Sequence, residues 1–429
     1  MKTENIRRFL RENPPTEGQV GYYGEVARRF KTTAEYVRQV AKKLGVANVR
    51  TNKQASRTPK PKRTLQEEIV EDRRILALRS ENEVLSRKVK ALMKDANTQE
   101  KILEMARLTI NALPTVPAPA RIKPTKGQAV ESAVLVGSCW HIGETINPHE
   151  MAGLNAYNFD IFCRRLQYLT QEAISFTTQN MRAHVFDELR VLLTGDMVSG
   201  VIHDELLETN ELNIVEQATI GPLVTAQALL QLARVFPRII VTCVVGNHGR
   251  VKHEKYFKHK QQVNWDYVFY NNLALLLKDQ PNITFQIPLS WWAGTEIKGH
   301  NFLVMHGDLI KSWGGIPFYG INRMVAKWIE IEAAHKRFFR YFIASHFHNW
   351  AGIQTAAGEN ILNASMKGGD EYATGLALYS EPKQLLFGVH PKYGKTWELK
   401  INTRFGDSKP HSYQFNRSLA LGVQTEAVK

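Results

Sequence analysis

The chain has 429 residues, of which 43% are hydrophobic and 23% are charged, and this composition excludes general disorder. No stretch approaches the roughly 18 apolar residues of a membrane span, and no apolar signal core is visible, so we expect a cytoplasmic protein. The 3 cysteines are too few for a disulfide framework and agree with a reducing compartment. The net charge of +15 is concentrated at the start, where residues 1–64 hold 16 Lys and Arg against 5 Asp and Glu.

Residues 1–45 are predicted to form a small helical domain. Gly21 to Phe30 is typical of one helix and its entry, Lys31-Thr32-Thr33 of a turn, and Ala34 to Leu44 of a second helix. This arrangement resembles the helix-turn-helix of bacterial and phage DNA-binding proteins, although small trihelical modules also bind proteins. Arg and Gln side chains suit base edges and Lys suits phosphate, so we predict a DNA-binding surface. It comprises Arg28, Arg29, Arg38, Gln39, Lys42 and Lys43.

Three segments are predicted between this domain and the remainder of the chain. Residues 46–64 are basic and lack apolar periodicity, which indicates a linker that can follow phosphates. Residues 65–113 carry a 3-4 apolar repeat with Leu78, Leu85 and Leu92 at d and Asn82 at a, which predicts a parallel coiled coil and a homodimer. The alternative is a single helix packed on the remainder of the chain. Residues 114–129 contain four prolines and are predicted to be a stiff linker.

Five short polar blocks in residues 130–405 each follow a short apolar run. Such runs are typical of buried strands, and the polar residues after them are expected to meet at one edge of a sheet. The blocks are Ser138-Cys139-Trp140-His141, Thr194-Gly195-Asp196, Gly246-Asn247-His248-Gly249, Met305-His306-Gly307-Asp308 and Ser345-His346-Phe347-His348. One block alone would be weak evidence, but five in this order predict a site for two divalent metal ions.

The ordered set resembles the calcineurin-like metallophosphoesterase family, which includes protein phosphatases and the nuclease subunit of double-strand-break repair complexes. The resemblance spans roughly residues 130–390. It implies an α/β fold, a four-layer α/β/β/α sandwich over residues 130–405 with a tail at 406–429. The helix-turn-helix domain and the coiled-coil helix would precede it.

The resemblance also implies roles for individual residues. His141 and His348 would bind the first metal with Cys139, Asp196 would bridge, and His248 would act as general acid or transition-state donor. Asn247, His306 and His346 would bind the second metal. Asp308 would order His306 or close a turn.

Two departures from the family pattern bear on the chemistry. Cys139 stands where the family has an aspartate, and a thiolate favours Zn²⁺ or iron over Mg²⁺. We therefore expect Mn, Zn or Fe rather than Mg; a weak first site and an inactive enzyme are the alternatives. Gly249 replaces the acid that orients the catalytic histidine. Arg250, with Lys252, His253 and Lys260 after it, can instead supply positive charge for a phosphate, an arrangement similar to phosphoesterases encoded by bacteriophages.

These observations predict a metal-dependent phosphoesterase that cleaves phosphodiester bonds, most specifically a DNA nuclease of repair or replication. If the protein is phage-encoded, the expected location is the host cytoplasm. One alternative is a phosphatase of nucleotides or phosphoproteins. The other is a dimeric DNA-binding protein that has lost its chemistry.

Overall fold

The computed structural model describes residues 2–14, 22–44, 101, 103, 110–120, 123–251, 258–312, 317–356 and 358–415. The chain divides into two compact units, Met1–Arg87 and Lys88–Lys429. The predicted basic linker and nearly all of the predicted coiled coil lie outside the described residues, so both stay predictions. Among the helices described, none is both long and apolar enough to cross a membrane.

The first unit contains the helices α1 (Lys2–Glu12), α2 (Tyr22–Arg29) and α3 (Ala34–Lys43). Thr33 is the N-cap of α3, and its side chain accepts a hydrogen bond from the Tyr36 backbone N–H, as expected for a threonine at a helix start. The apolar faces of the three helices form one small core. Its buried residues are Ile6, Leu10, Tyr22, Tyr23, Val26, Ala27, Val37, Val40 and Ala41.

The second unit contains two mixed β-sheets. The first has the strand order β11-β10-β1-β2-β3-β4, in which β1 to β4 are parallel, β10 is antiparallel to β1, and β11 is antiparallel to β10. Its strands are β1 (Ala129–Gly137), β2 (His184–Leu193), β3 (Ile239–Cys243), β4 (Ile283–Gln286), β10 (Lys383–His390) and β11 (Gly394–Asn402). The helices between them are α4 (Phe159–Ser175), α5 (Asp204–Thr209), α6 (Ile214–Ala233) and α7 (Trp265–Leu276). A π-helical turn, Phe176–Asn180, follows α4.

The second sheet has the order β5-β6-β7-β9-β8, with β6, β7 and β9 parallel. Its strands are β5 (Trp292–Ile297), β6 (His300–Met305), β7 (Tyr341–Ala344), β8 (Ala351–Gln354) and β9 (Glu359–Leu362). Helix α8 (Phe318–Ala334) lies between β6 and β7, and the short helix α9 (Glu371–Gly375) precedes β10. A 3-10 turn, Thr403–Gly406, follows β11.

Alternation along the strands divides the core into layers, because successive side chains point to opposite faces of a sheet. In β1, Val134 and Val136 pack with residues of the second sheet such as Phe302 and Ile343. Leu135, on the other face of β1, packs with α4, α6 and α7. On the far face of the second sheet, Leu303, Met305 and Phe342 pack against Ile321 and Val325 of α8.

Segments on either side of this core also contact it. The Leu113 backbone N–H donates to the Leu276 carbonyl, and the Val116 N–H donates to Oε1 of Gln280. Near the other end, Phe415 packs edge-on against Phe159 of α4 at 4.9 Å between ring centroids. The end of the predicted coiled-coil segment and parts of the predicted linker and tail therefore lie against the α/β body.

Candidate metal centre

The five polar blocks follow β1, β2, β3, β6 and β7, as the sequence predicts. Three groups of donor atoms result, within each of which the atoms lie no more than 4.8 Å apart. The groups are Cys139 with His141 and His348; Cys139 with Asp196 and His306; and His141 with Asp196 and His248. Asn247 and His346 join through His306, whose Nε2 lies 3.1 Å from Asn247 Oδ1 and whose ring centroid lies 5.2 Å from that of His346. All seven predicted ligands and His248 thus meet at one place.

The backbone at this place is strained. Five of the predicted ligands adopt the left-handed conformation, with φ of 49° at Cys139, 46° at His141, 54° at Asp196, 69° at His346 and 59° at His348. Residues other than glycine rarely adopt this backbone conformation. Such strain is concentrated where the surrounding structure holds functional groups in place. Nearly half of the left-handed non-glycine residues in the described ranges are therefore at this one site.

Asp196 is the centre of the hydrogen-bonding network. Its Oδ2 lies 2.9 Å from His306 Nε2, and its Oδ1 accepts the His248 backbone N–H at 2.8 Å. The other ring nitrogen of His306 lies 2.7 Å from the Thr194 carbonyl, which fixes the ring orientation. Gly246 passes so close that an added Cβ would lie 2.1 Å from Asp196 Oδ1, which explains the glycine there.

The attraction between Asp196 and His306 sets the ionisation of both side chains. Burial alone would lower the pKa of His306, but the Asp196 carboxylate outweighs it and raises the pKa to about 8. Burial opposes ionisation of Asp196 as well, yet His306 and then His248 hold its pKa well below the usual range. Asp196 is therefore a carboxylate at neutral pH, and His306 is largely an imidazolium in the metal-free protein.

The other three histidines among the predicted ligands are neutral. Burial, followed by the Lys367 ammonium and His248, lowers the pKa of His141 to about 4. Burial and then His306 lower the pKa of His346 to about 4. Burial and then His141 hold the pKa of His348 well below its usual range. Neutral imidazole is the form that binds a metal.

His141 provides the structural test of whether a metal fits. Its side chain is 0% exposed; Nδ1 lies 3.2 Å from Glu144 Oε2, and Nε2 has no hydrogen-bond partner among the described residues. A buried polar atom without a partner is costly, so an imidazole lone pair left in this way fits a site that a metal ion completes. The Cys139 thiol lies in the same group and is also 0% exposed; burial and then Asp196 raise its pKa. The donors are nitrogen, sulfur and oxygen, which suits Zn²⁺ or iron.

A buried ion pair beside His141 was not predicted from the sequence. Nδ1 of His141 lies 3.2 Å from Oε2 of Glu144, whose other oxygen accepts from Lys367. Lys367 is 2% exposed and also donates to Asp370 at 2.7 Å. Burial would raise the pKa of Glu144, but Lys367 and the contact with His141 hold it well below its usual range. The only signal in the sequence is the spacing of Glu144 three residues after His141, which is too common to be informative.

His248 is oriented by a carbonyl oxygen. Its Nδ1 lies 2.9 Å from the Ser199 carbonyl. Since a carbonyl can only accept, Nδ1 carries the hydrogen, and Nε2 is the nitrogen that can exchange a proton. A Cβ on Gly249 would lie 2.1 Å from Asn264 Oδ1, so a larger residue at this position would not fit without a shift. The Ser199 carbonyl is thus the group that orients this histidine.

The predicted cluster of phosphate-binding cations is smaller in the structure. Arg250 is partly buried, its Nε donates to the Asn247 carbonyl at 3.1 Å, and its Nη1 has no hydrogen-bond partner in the described part of the chain. Lys260 is 5% exposed, and its ammonium contacts both carboxylate oxygens of Asp308 at 2.8 and 3.0 Å. Because Asp308 neutralises it, Lys260 is not available to a phosphate. Lys252 and His253 lie outside the described residues.

Comparison with known proteins gives limited support. No family model matches the chain, and no curated protein matches it. Among solved structures, Vacuolar Protein Sorting 29 from Cryptosporidium parvum is 12% identical, with 63% of this chain and 98% of that chain covered and a TM-score of 0.28. Vps29 complexed with Zn²⁺ from Entamoeba histolytica is 13% identical, with 63% and 99% covered and a TM-score of 0.26.

A protein described as a novel archaeal phosphodiesterase is 12% identical, with 63% of this chain and 99% of that chain covered and a TM-score of 0.28. These identities and TM-scores are too low to transfer a function. The function must therefore be inferred from the site itself.

Proposed function

We propose that the chain is a metal-dependent phosphoesterase of the calcineurin-like type that hydrolyses phosphodiester bonds in DNA. The observation that carries the proposal is the convergence of six donor side chains from five strand ends into groups no wider than 4.8 Å, with Asn247 and His346 beside His306. The layered core supports a four-layer α/β/β/α sandwich around this site, because one apolar cluster joins the two sheets and others join each sheet to helices.

The residues divide into two sets around Asp196. Cys139, His141 and His348 would hold one ion, and Asn247, His306 and His346 would hold the other; Asp196 lies between the sets. When bound, two divalent ions would supply Lewis-acid polarisation of a phosphate and activation of a water molecule.

The chain's own groups supply the remaining functions. His248 donates its Nδ1–H to the Ser199 carbonyl, so in the doubly protonated form of the ring the Nε2–H can donate to the phosphate or pass its proton to the leaving oxygen. Arg250, whose Nη1 is buried without a described partner, would provide a charged hydrogen bond to a phosphate oxygen.

The first unit supports DNA as the substrate. Arg28, Arg29, Arg38, Gln39, Lys42 and Lys43 all lie exposed on or at the ends of α2 and α3. A small, strongly basic three-helix unit joined to a nearly neutral body favours a polyanionic partner. Dimerisation through residues 65–113 would place two of these basic units on one DNA molecule. Separately, the Gly-Asn-His-Gly-Arg block agrees with a phage origin.

Hydrolysis is tested with protein purified without chelator. Its metal content is measured, and it is incubated with bis-p-nitrophenyl phosphate and with single- and double-stranded DNA in Mn²⁺, Zn²⁺ or Mg²⁺. We expect hydrolysis that Asp196→Asn reduces at least about 100-fold, because the bridging charge is lost. Asp187→Asn is the matched control, since Asp187 lies on β2 and pairs with Lys298 away from the site. Absence of hydrolysis with every metal would contradict the proposal and favour the silent DNA-binding alternative.

DNA binding is tested by the double variant Arg38→Ala/Lys42→Ala. We expect weaker DNA binding. The slope of the logarithm of the binding constant against the logarithm of the salt concentration should become shallower by about 0.9 for each lost phosphate contact. Hydrolysis of bis-p-nitrophenyl phosphate should stay unchanged, because the variant leaves the catalytic unit intact. Lys278→Ala, an exposed cation on the body, controls for net charge. Unchanged DNA affinity in the double variant, with activity on a nucleotide monoester, would favour the phosphatase alternative.

A further inference from the structure

Asp266, in the first turn of α7, has a buried carboxylate that accepts four backbone N–H groups. Its side chain is 0% exposed. Oδ2 accepts from Asp196 at 2.9 Å and from Gly246 at 2.8 Å. Oδ1 accepts from Met197 at 3.0 Å and from Val198 at 3.2 Å. All the donors belong to the two loops that carry Asp196 and Asn247.

The sharing of Oδ2 is the informative feature. The Asp196 amide comes from the loop after β2, and the Gly246 amide comes from the loop after β3. One oxygen atom therefore fixes the spacing between these loops directly behind the site. The bonds to Asp196, Met197 and Val198 also hold the loop that keeps Asp196 at φ 54°. A conformation of this kind persists only where its surroundings enforce it.

The two residues before Asp266 hold the second loop from the other side. Asn264 Nδ2 donates to the Gly246 carbonyl at 2.8 Å, and the Trp265 N–H donates to the Gly249 carbonyl at 2.6 Å. Asn264 Oδ1 accepts the Asp266 N–H at 2.8 Å, which caps α7. Both ends of the Gly246–Gly249 segment are thus bound to the start of one helix.

We propose that Asp266 is a positioning residue for the metal centre. It sets Asp196 against Asn247 and His248 so that all three can act on the same bound ions, and it works through its backbone contacts rather than by touching substrate. A carboxylate suits this role because its two oxygens together offer about four acceptor sites. An asparagine there would turn an NH₂ group toward two N–H donors and leave those donors unsatisfied. The inference rests on the proposed function, because it assumes that the site binds metal.

The test compares Asp266→Asn with Asn272→Ala in the full-length protein. Asn272 lies on the same helix, is 0% exposed, and donates to the Ala218 carbonyl at 2.7 Å, so its loss perturbs α7 without touching the site. Zn²⁺ affinity is measured by competition with a chromophoric chelator, and thermal unfolding is measured in parallel. We expect Asp266→Asn to weaken Zn²⁺ binding about 30-fold, within the range for groups that orient ligands. Asn272→Ala should stay within about threefold of wild type even where its Tm falls.

Asn264→Ala is the second variant, because it removes the contact to the Gly246 carbonyl and the cap of α7 but keeps the Asp266 carboxylate. It should weaken Zn²⁺ binding about fivefold in a folded protein. Wild-type affinity in folded Asp266→Asn, or equal losses in Asp266→Asn and Asn272→Ala, would overturn the inference. If Asp266→Asn does not fold, wild-type affinity in Asn264→Ala would overturn it instead. A wild-type protein that binds no Zn²⁺ would overturn the proposed function itself, whereas a loss confined to the variants leaves that function standing.

Discussion

Proton release on metal binding tests whether Cys139 is a ligand. In the metal-free protein at pH 7 the Cys139 thiol holds its proton, because burial and Asp196 raise its pKa. His306 also holds a proton, because Asp196 raises its pKa to about 8. A metal binds the thiolate and the neutral imidazole, so both protons must leave. Metal binding should therefore release a number of protons that the states of Cys139 and His306 predict.

The expected number follows from the pKa values. At pH 7, below the His306 pKa of about 8, His306 is mostly protonated, so His306 and Cys139 each contribute about one proton. Wild type should release about two protons, and Cys139→Ala about one. Since protons compete with the metal, affinity rises with pH, and the contribution of His306 levels off above about pH 8.

The assay is isothermal titration calorimetry with Zn²⁺ in weakly coordinating buffers of different ionisation enthalpy. The slope of the observed enthalpy against the buffer's ionisation enthalpy gives the number of protons released. Cys163→Ala is the control, because Cys163 is a second buried thiol whose pKa burial also raises, and it lies on α4 outside the site. Equal proton release by wild type and Cys139→Ala would refute the assignment of Cys139 as a ligand.

Two substitutions test the contacts that shape the site. Gly246→Ala places a Cβ 2.1 Å from Asp196 Oδ1 and should abolish stoichiometric metal binding, measured by elemental analysis. Gly294→Ala, where nothing lies within 4 Å of the new Cβ, should bind metal normally, and equal metal content in the two variants would contradict the geometry. Glu144→Gln removes the anionic partner 3.2 Å from His141 Nδ1, so Zn²⁺ affinity should fall about tenfold in chelator competition. Unchanged affinity would show that Glu144 does not orient His141.

Much of the candidate site could be predicted from the sequence because its chemistry is local. A predicted ligand such as His306 directly follows a short apolar strand, and the ends of the five strands, three in the first sheet and two in the second, meet at one place. The turn before α3 was predictable for the same reason, since Thr33 caps a helix that begins at the next residue. In both cases the signal and the structural feature are neighbours in the chain.

The role of Lys260 could not be predicted in this way. Its basic neighbours in the sequence favoured phosphate binding, but folding buries it against Asp308, 48 residues away. The sequence shows only that a positively charged lysine is present. Its burial and its ion pair with Asp308 decide whether that charge is available to a ligand.

The sequence by itself determined the identity and order of the donor groups and the concentration of positive charge at the start of the chain. Only the tertiary structure decided which atoms support those donors: the Ser199 carbonyl behind His248, Glu144 beside His141, and Asp266 behind Asp196. The physical reason is the range of the interactions. A ligand is marked by its own side chain at a strand end, whereas the hydrogen bond from the Asp196 amide to Asp266 joins residues 70 positions apart. A contact of that kind leaves no periodic or local trace, and only the packing of the strands and helices brings its partners together.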